Sequence, residues 1–314
     1  MKKFIILMIC LVVGISGCAK TELNIDNDKI NITATIFPQY DFARQIAGDK
    51  ANVSMLLPPG GESHTYEPSP QDIMKIQNSD IFIYTGGESD SWIDEILKTI
   101  NSDKIRIINL VQICDTLEEE SVDGMQLDDH AHEHDDEEHF IDEHVWTSPV
   151  NAVKICDEIL NKLCQIDKEN AKYYEDNHRE YTKLLYELDN DFAQITSSAK
   201  NKTLVFGGRF PFRYFTERYG LDYYAAFPGC AEETEASIST ITSLIDIVKE
   251  KNIPVILYPE LSNHKLADTI AEETGTKAMM LHSCHNVTPD EFAGGVTYAE
   301  LMRKNVEVIR EALN

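Results

Sequence analysis

Residues 168–198, KENAKYYEDNHREYTKLLYELDNDFAQITSS, contain neither Gly nor Pro. The pattern is helical throughout, and a helix of about thirty residues in a globular protein either connects domains or forms a coiled coil. No heptads repeat, so residues 168–200 read as a connector. On its N-terminal side, strand-like runs alternate with helical ones: Ile30–Phe37, a helix over Tyr40–Ala47, Val53–Leu57, a helix over Gln71–Gln77, Ile81–Tyr84, a helix around Trp92–Thr99 and a strand at Ile105–Leu110. Ser69-Pro70 and Ser148-Pro149 each supply an N-cap and a first-turn proline. The second of these opens a helix to about Leu163. Beyond the connector, strands fall near Thr203–Phe206, Asp222–Phe227, Val255–Tyr258 and Lys277–Leu281. Helices fall near Pro211–Tyr219, Ser237–Lys251, Lys265–Thr274 and Tyr298–Leu313. Such alternation predicts parallel sheets with helices on both faces. The expected fold is therefore α/β: two doubly wound α/β lobes, residues 30–167 and 201–314, joined by one long connector helix. Ligands in such folds sit at strand carboxyl ends and between lobes.

The 314 residues include 28 Lys and Arg against 54 Asp and Glu, a formal net charge of -26. That balance excludes nucleic acid as a partner, because polyanions are bound by clustered cations. It favours cations instead. The surplus is uneven: Asp115 to Val153 holds fourteen acids and no Lys or Arg. Within it, residues 115–143 form an acidic loop carrying His130, His132, His134 and His139.

Lys2 and Lys3 precede an apolar run from Phe4 to Ile15. Twelve residues are too few to span a bilayer, which takes roughly 18 or more. The run fits a secretory signal over residues 1–17. Ile15-Ser16-Gly17-Cys18 resembles the lipobox of bacterial lipoproteins, which implies cleavage before Cys18 and a lipid on its sulfur. Residues 18–29 are then a lipidated tether, holding the chain on the extracytoplasmic face of the cell membrane. Cys114, Cys156, Cys164, Cys230 and Cys284 remain. Cys156 and Cys164 lie eight apart in a helical pattern, roughly 12 Å along its axis and too far for a disulfide. Cys230 and Cys284 are candidates for a disulfide or for metal ligation. No CxxC occurs.

Three histidines occupy strand-end or helix-start loops. His64 follows Pro58-Pro59-Gly60-Gly61-Glu62-Ser63, His144 precedes Val145-Trp146-Thr147-Ser148-Pro149, and His282 opens His282-Ser283-Cys284-His285. Imidazole is the commonest ligand for late first-row metals, and three such loops around one cleft point to a metal site between the lobes.

Ser63-His64-Thr65-Tyr66-Glu67-Pro68-Ser69-Pro70 resembles the first metal-ligand loop of zinc and manganese ABC-transporter solute-binding lipoproteins. His144-Val145-Trp146-Thr147-Ser148-Pro149 is similar to the second. The connector, Tyr219-Gly220-Leu221 and Met302-Arg303-Lys304-Asn305 extend the likeness over nearly all of the mature chain. The acidic loop, with His130-Ala131-His132-Glu133-His134, resembles that of the zinc-specific members. The resemblance implies a monomeric binding protein, not an enzyme, that captures a divalent metal and delivers it to a membrane permease. It favours zinc over manganese.

The family's third ligand, a histidine, falls here at Arg209, whose guanidinium has no lone pair to give a metal. The fourth, a carboxylate, falls at His282. Two accounts are open. Either His64, His144 and His282 are joined by Cys284 or His285, with Cys230 and Glu260 as further donors, a set of N and S ligands suited to zinc. Or Arg209 turns the cleft toward an anion or a metal chelate. A metal-buffering surface adhesin without a transport partner is a third reading. Enzyme signatures fail: there is no HExxH, GxSxG, Walker A or dinucleotide fingerprint.

The acidic loop carries a separate expectation. Deleting residues 128–140 should lower zinc stoichiometry or the rate of capture, measured by titration of the metal-stripped chain. The tightest site should survive, and its loss would show that the loop supplies the principal ligands.

Overall fold

A computed structural model describes residues 29–62, 65–100, 104–126, 140–231 and 235–314. Residues 1–28, with the signal, Cys18 and nearly all of the tether, and His64, His130, His132, His134 and His139 lie outside the described residues. The first sheet contains β1 (Ile30–Ala34), β2 (Ala51–Met55), β3 (Ile81–Tyr84) and β4 (Arg106–Asn109) in the order β2-β1-β3-β4, all parallel. The second contains β5 (Thr203–Arg209), β6 (Asp222–Phe227), β7 (Val255–Tyr258) and β8 (Lys277–Met280) in the order β6-β5-β7-β8, again parallel. Each sheet therefore reverses its winding beside its first strand, and a crevice opens there at the strand carboxyl ends. The α/β architecture with two parallel sheets is as the alternation predicted.

Side chains on a strand alternate faces, and this divides the interior. On β5, Leu204 and Phe206 enter one large core, whereas Val205 enters a second cluster on the other face. On β7, Val255 and Leu257 join the large core and Ile256 the second cluster. On β3, Ile81 and Ile83 face the large core, while Phe82 and Tyr84 face a third cluster with Ile76 and Ile93. The large core is continuous across both sheets.

Four helices fill the space between: α1 (Phe37–Ala47), α5 (Pro149–Ile166), α6 (Ala171–Ser198) and α11 (Tyr298–Ala312). The connector is α6, whose 28 residues span about 42 Å. Its buried stripe is Tyr174, Tyr181, Leu185, Leu188, Phe192 and Ile195. After the first step of seven, the spacing alternates between four and three. That is a seam like those of coiled coils, although no heptad was evident in the sequence. Mixed aromatic and aliphatic side chains disguise it, and its partners are α1, α5 and α11 of the same chain.

The remaining helices are short. They are α2 (Pro70–Gln77), α3 (Ser91–Thr99), α4 (Leu110–Ile113), α7 (Arg213–Tyr219), α8 (Ile238–Lys251), α9 (Lys265–Thr274) and α10 (Pro289–Ala293). Ser69 caps α2 reciprocally with Asp72, as its Ser-Pro start predicts. Ser148 occupies the corresponding place before α5 without a side-chain cap, so Pro149 alone sets that start. No helix among the described residues is long and apolar enough to cross a membrane.

One buried carboxylate fastens three of the central helices. Asp41 of α1 is fully buried and accepts from Arg44 Nε (2.7 Å), Gln45 Nε2 (3.1 Å), the Tyr181 hydroxyl of α6 (2.8 Å) and the Tyr298 N–H that opens α11 (2.7 Å). Arg44 also donates to the carbonyls of Gly295 and Val296. Asp41→Ala should lower the unfolding free energy by about 3–5 kcal/mol, since it leaves the buried Tyr181 hydroxyl and Tyr298 N–H without an acceptor and takes the carboxylate from Arg44 and Gln45. Tyr186→Ala, on the exposed face of α6, should change it by no more than about 0.5 kcal/mol. Urea unfolding of both variants checks the contrast.

Candidate functional site

The carboxyl ends of the two sheets face each other across a small cavity of about 30 Å³, room for an ion or one or two waters. Gly61, Glu62 and His144 line it on one side. Arg209, Pro211, Gly229, Glu260, Ser283, His285 and Asn286 line it on the other.

His144 stands at the end of the segment before α5 and is 1% exposed. Asp142, also buried, accepts its backbone N–H at 2.8 Å and lies 3.2 Å from its Nδ1. Burial disfavours the imidazolium, yet Asp142, Glu143 and Glu119 together outweigh it and hold the ring's pKa above its ordinary value. Gly229 permits the ring's approach: a Cβ there would lie 3.2 Å from His144 Cε1 and 2.8 Å from the Phe210 carbonyl. The latter contact is closer than real side chains allow.

His285 reaches the same cavity from the loop after β8. Its ring centroid lies 5.5 Å from that of His144 and 5.1 Å from that of Trp146, nearly perpendicular to both. Glu260, from the loop after β7, fixes this loop. Its carboxylate accepts from Ser283 N (2.6 Å), Ser283 Oγ (2.7 Å) and His285 N (2.9 Å). Trp146 Nε1 donates to the Ser283 carbonyl at 2.8 Å. The loop is thus held from both sides of the cleft.

His282, expected to face the cleft, does not line the cavity. It is buried, its Nδ1 accepts from Cys284 N at 3.0 Å, and Asn305 brackets its backbone N–H and C=O. Cys284 adopts a left-handed φ of 63°, an uncommon conformation for this residue type, and the turn delivers His285 instead. Among the described residues, Cys114, Cys156, Cys164, Cys230 and Cys284 are all free thiols, so no bridge joins Cys230 to Cys284. Neither lines the cavity, and burial pushes both thiols well above their ordinary range.

Arg209 ends β5 at the cavity mouth, where its Nη2 and Nη1 reach the two oxygens of Glu62 at 3.0 and 3.4 Å. The loop bearing Glu62 is tied across the cleft elsewhere as well. Asn286 Nδ2 donates to the carbonyls of Pro58 and Gly61, both at 2.9 Å, and Gly60 N donates to the Val287 carbonyl at 2.8 Å. His64 lies two residues beyond Glu62. Among the described residues, no group of three or more His, Cys, Asp or Glu side chains could hold a metal ion.

The flanks of the acidic loop run along the second lobe. Glu119 accepts from Cys230 N, and Gln126 N donates to the carbonyl of Ala226 in the edge strand β6. Sequence reading did not find this contact, since it joins residues about a hundred positions apart with no local pattern.

Residues 32–312 match the family described as ZnuA, zinc-uptake complex component A, periplasmic. A high-affinity zinc uptake system protein ZnuA of Bacillus subtilis is 30% identical over 99% of this chain and 96% of its own length. The zinc-binding lipoprotein AdcA of Streptococcus pneumoniae is 32% identical over 90% of this chain, which spans only 56% of that longer protein. The Zn(II)-bound ZnuA-like domain of pneumococcal AdcA superposes with a TM-score of 0.74 and 30% identity. The match covers 91% of this chain and 99% of that domain.

Behind the histidines lies a further small cavity, lined by Thr35, Thr85, Ser89, Asp90, Glu143, Trp146 and His285 among others. The Asp90 carboxylate accepts from the N–H of Thr85 (2.8 Å) and Gly86 (3.1 Å). Even so, burial, aided by the charge of Glu143, pushes its pKa up to about 7. The folded chain thus holds this proton more tightly than the unfolded chain, where an Asp titrates near 4. The stability due to the protonated form is complete below about pH 4, is lost as pH rises toward 7, and stays lost above. Asp90→Asn should therefore show a smaller fall in unfolding free energy between about pH 5 and 8 than the wild-type chain, both metal-free. Equal falls would rule this out.

Proposed function

Because this chain belongs to the zinc-uptake complex component A family, we propose that it captures zinc outside the cytoplasm and passes it to the membrane permease of an ABC transporter. It is a binding protein and breaks no bond. The observation that carries the ligand assignment is the meeting of His144 and His285 across one ion-sized cavity between the lobes. With Nδ1 held by Asp142, His144 would coordinate through Nε2, the arrangement in which a carboxylate orients a metal-binding histidine. His64, in the loop whose Glu62 lines the cavity, is the third ligand. Zinc takes four ligands in a tetrahedron and is well served by imidazole nitrogens at about 2.0–2.1 Å, which favours it over manganese. Glu260 serves by fixing the His285 loop.

The division into a first lobe of residues 30–167, a connector over 168–200 and a second lobe over 201–314 belongs to this reading. The confinement of each parallel sheet to one segment supports it. Attachment through lipid on Cys18, supported by the lipobox likeness, and action as a monomer also belong to this reading. The engagement of the Arg209 guanidinium by the Glu62 carboxylate supports this reading over an anion or chelate ligand.

Titration of the metal-stripped chain with zinc and with manganese tests the function. One tight zinc site is expected, with weaker manganese binding. His144→Ala with His64→Ala should weaken the zinc site at least about 100-fold, since the loss of even an outer partner costs 10–100-fold. His285→Gln should weaken it comparably, and His282→Gln should not. An unchanged tight site in the His64 and His144 variant would sink the cleft assignment. The reverse order for His282 and His285 would give the second-lobe ligand position to His282.

A further inference from the structure

Arg209 stands where the resemblance places a third metal ligand, and it cannot ligate. Its surroundings give it a different task. The guanidinium leaves the end of β5 in the second lobe, is only 15% exposed, and meets both oxygens of Glu62 in the first-lobe loop that leads to His64. A third donation, at 3.5 Å, goes to the Ala231 carbonyl and keeps the guanidinium on its own lobe. Two parallel N–H···O contacts from a planar fork specify direction as well as distance.

The other ties on this loop differ in kind. Asn286 is 2% exposed, and its bonds to Pro58 and Gly61 are neutral. These contacts, with Gly60 to Val287, anchor the root of the loop. The Glu62 carboxylate, by contrast, is 46% exposed. Water and salt reach that pair, so it breaks at small cost while the root stays docked.

We propose that the Arg209–Glu62 pair is a latch across the mouth of the metal cavity, holding the Glu62 end of the first-lobe loop against the second lobe. Arg209 is thus a positioning residue that sets how long the ion is retained. The argument rests on the zinc-binding reading above for its function, and on the ion pair alone for its existence.

Two measurements on the mature full-length chain test it. In the first, the zinc-loaded protein is mixed with excess chelator, and release is followed at low and high ionic strength. Wild-type release should quicken with salt. Arg209→Gln and Glu62→Gln should each release roughly fivefold faster at low salt, the size expected of one partly exposed pair, and should lose most of the salt dependence. The charge exchange Glu62→Arg with Arg209→Glu should restore slow, salt-sensitive release, which a merely structural role would not predict. Slower release or tighter binding in Arg209→Gln would overturn the latch, because Arg209 would then act as a repelling charge. In the second, amide hydrogen exchange of residues 57–62 is followed without metal. Faster exchange in both single variants supports the latch, and unchanged exchange overturns it, whether or not zinc binds. A wild-type chain with no tight zinc site would refute the zinc-binding reading separately.

Discussion

A carboxylate with no access to water must find its donors inside the protein or lose its charge. Asp41 finds four, and they come from α1, α6 and α11. Because α6 leads from the first sheet's segment to the second's and α11 follows the second sheet, this one group ties the two halves of the chain together. The same helix carries Tyr298, whose hydroxyl donates to the Trp146 carbonyl at 2.7 Å. Trp146 in turn donates to Ser283. A continuous chain of bonds thus leads from the buried Asp41 to the turn that presents His285. The 5.5 Å between the two imidazoles is a consequence of how three helices are pinned some distance away.

Most of the fold was legible in the sequence because its signals are local. β3, β6, β7 and α9 begin and end where their runs of apolar or helical residues do. Pro289–Ala293 went unread although Thr288 and Glu291 form a capping box, because five residues carry too little periodicity. The site was legible by residue type and less so by geometry. His144, Glu260 and Arg209 each line the cavity, the first from a helix-start loop, the second from beyond its strand and the third from where the resemblance placed a ligand. The choice between His282 and His285 turned on the left-handed φ of Cys284, which no sequence pattern announces in a residue other than Gly or Asn. Asp142 could be seen as a neighbour of His144, but its grip on Nδ1 could not. The pairing of Arg209 with Glu62 spans 147 positions and depends wholly on tertiary packing.

The excess of acid takes a specific form around the cavity. Glu119, Asp142, Glu143 and Glu260 surround the two histidines, and each accepts a backbone N–H: from Cys230, His144, Ser89 and, for Glu260, both Ser283 and His285. These carboxylates orient loops. The cavity wall carries the imidazoles of His144 and His285 beside Glu62 and Glu260, while Glu119, Asp142 and Glu143 lie behind it. Neutral nitrogens suit a borderline-soft dication, and the outer charges favour its sign. Eleven further acids fall between residues 115 and 143, in a segment whose flanks press against the second lobe near Cys230.

The continuous core has a thermodynamic meaning. Two sheets and a cleft suggest two domains, yet Ile32 of the first sheet and Leu257 of the second belong to one apolar interior, filled by α1, α5, α6 and α11. Neither sheet can lose its inner face without exposing the helices on which the other depends. The chain is therefore two lobes in shape with one shared apolar interior. Stabilisation of the cavity by a bound ion is then shared by the whole molecule, and damage to the far end of α6 is felt at the histidines.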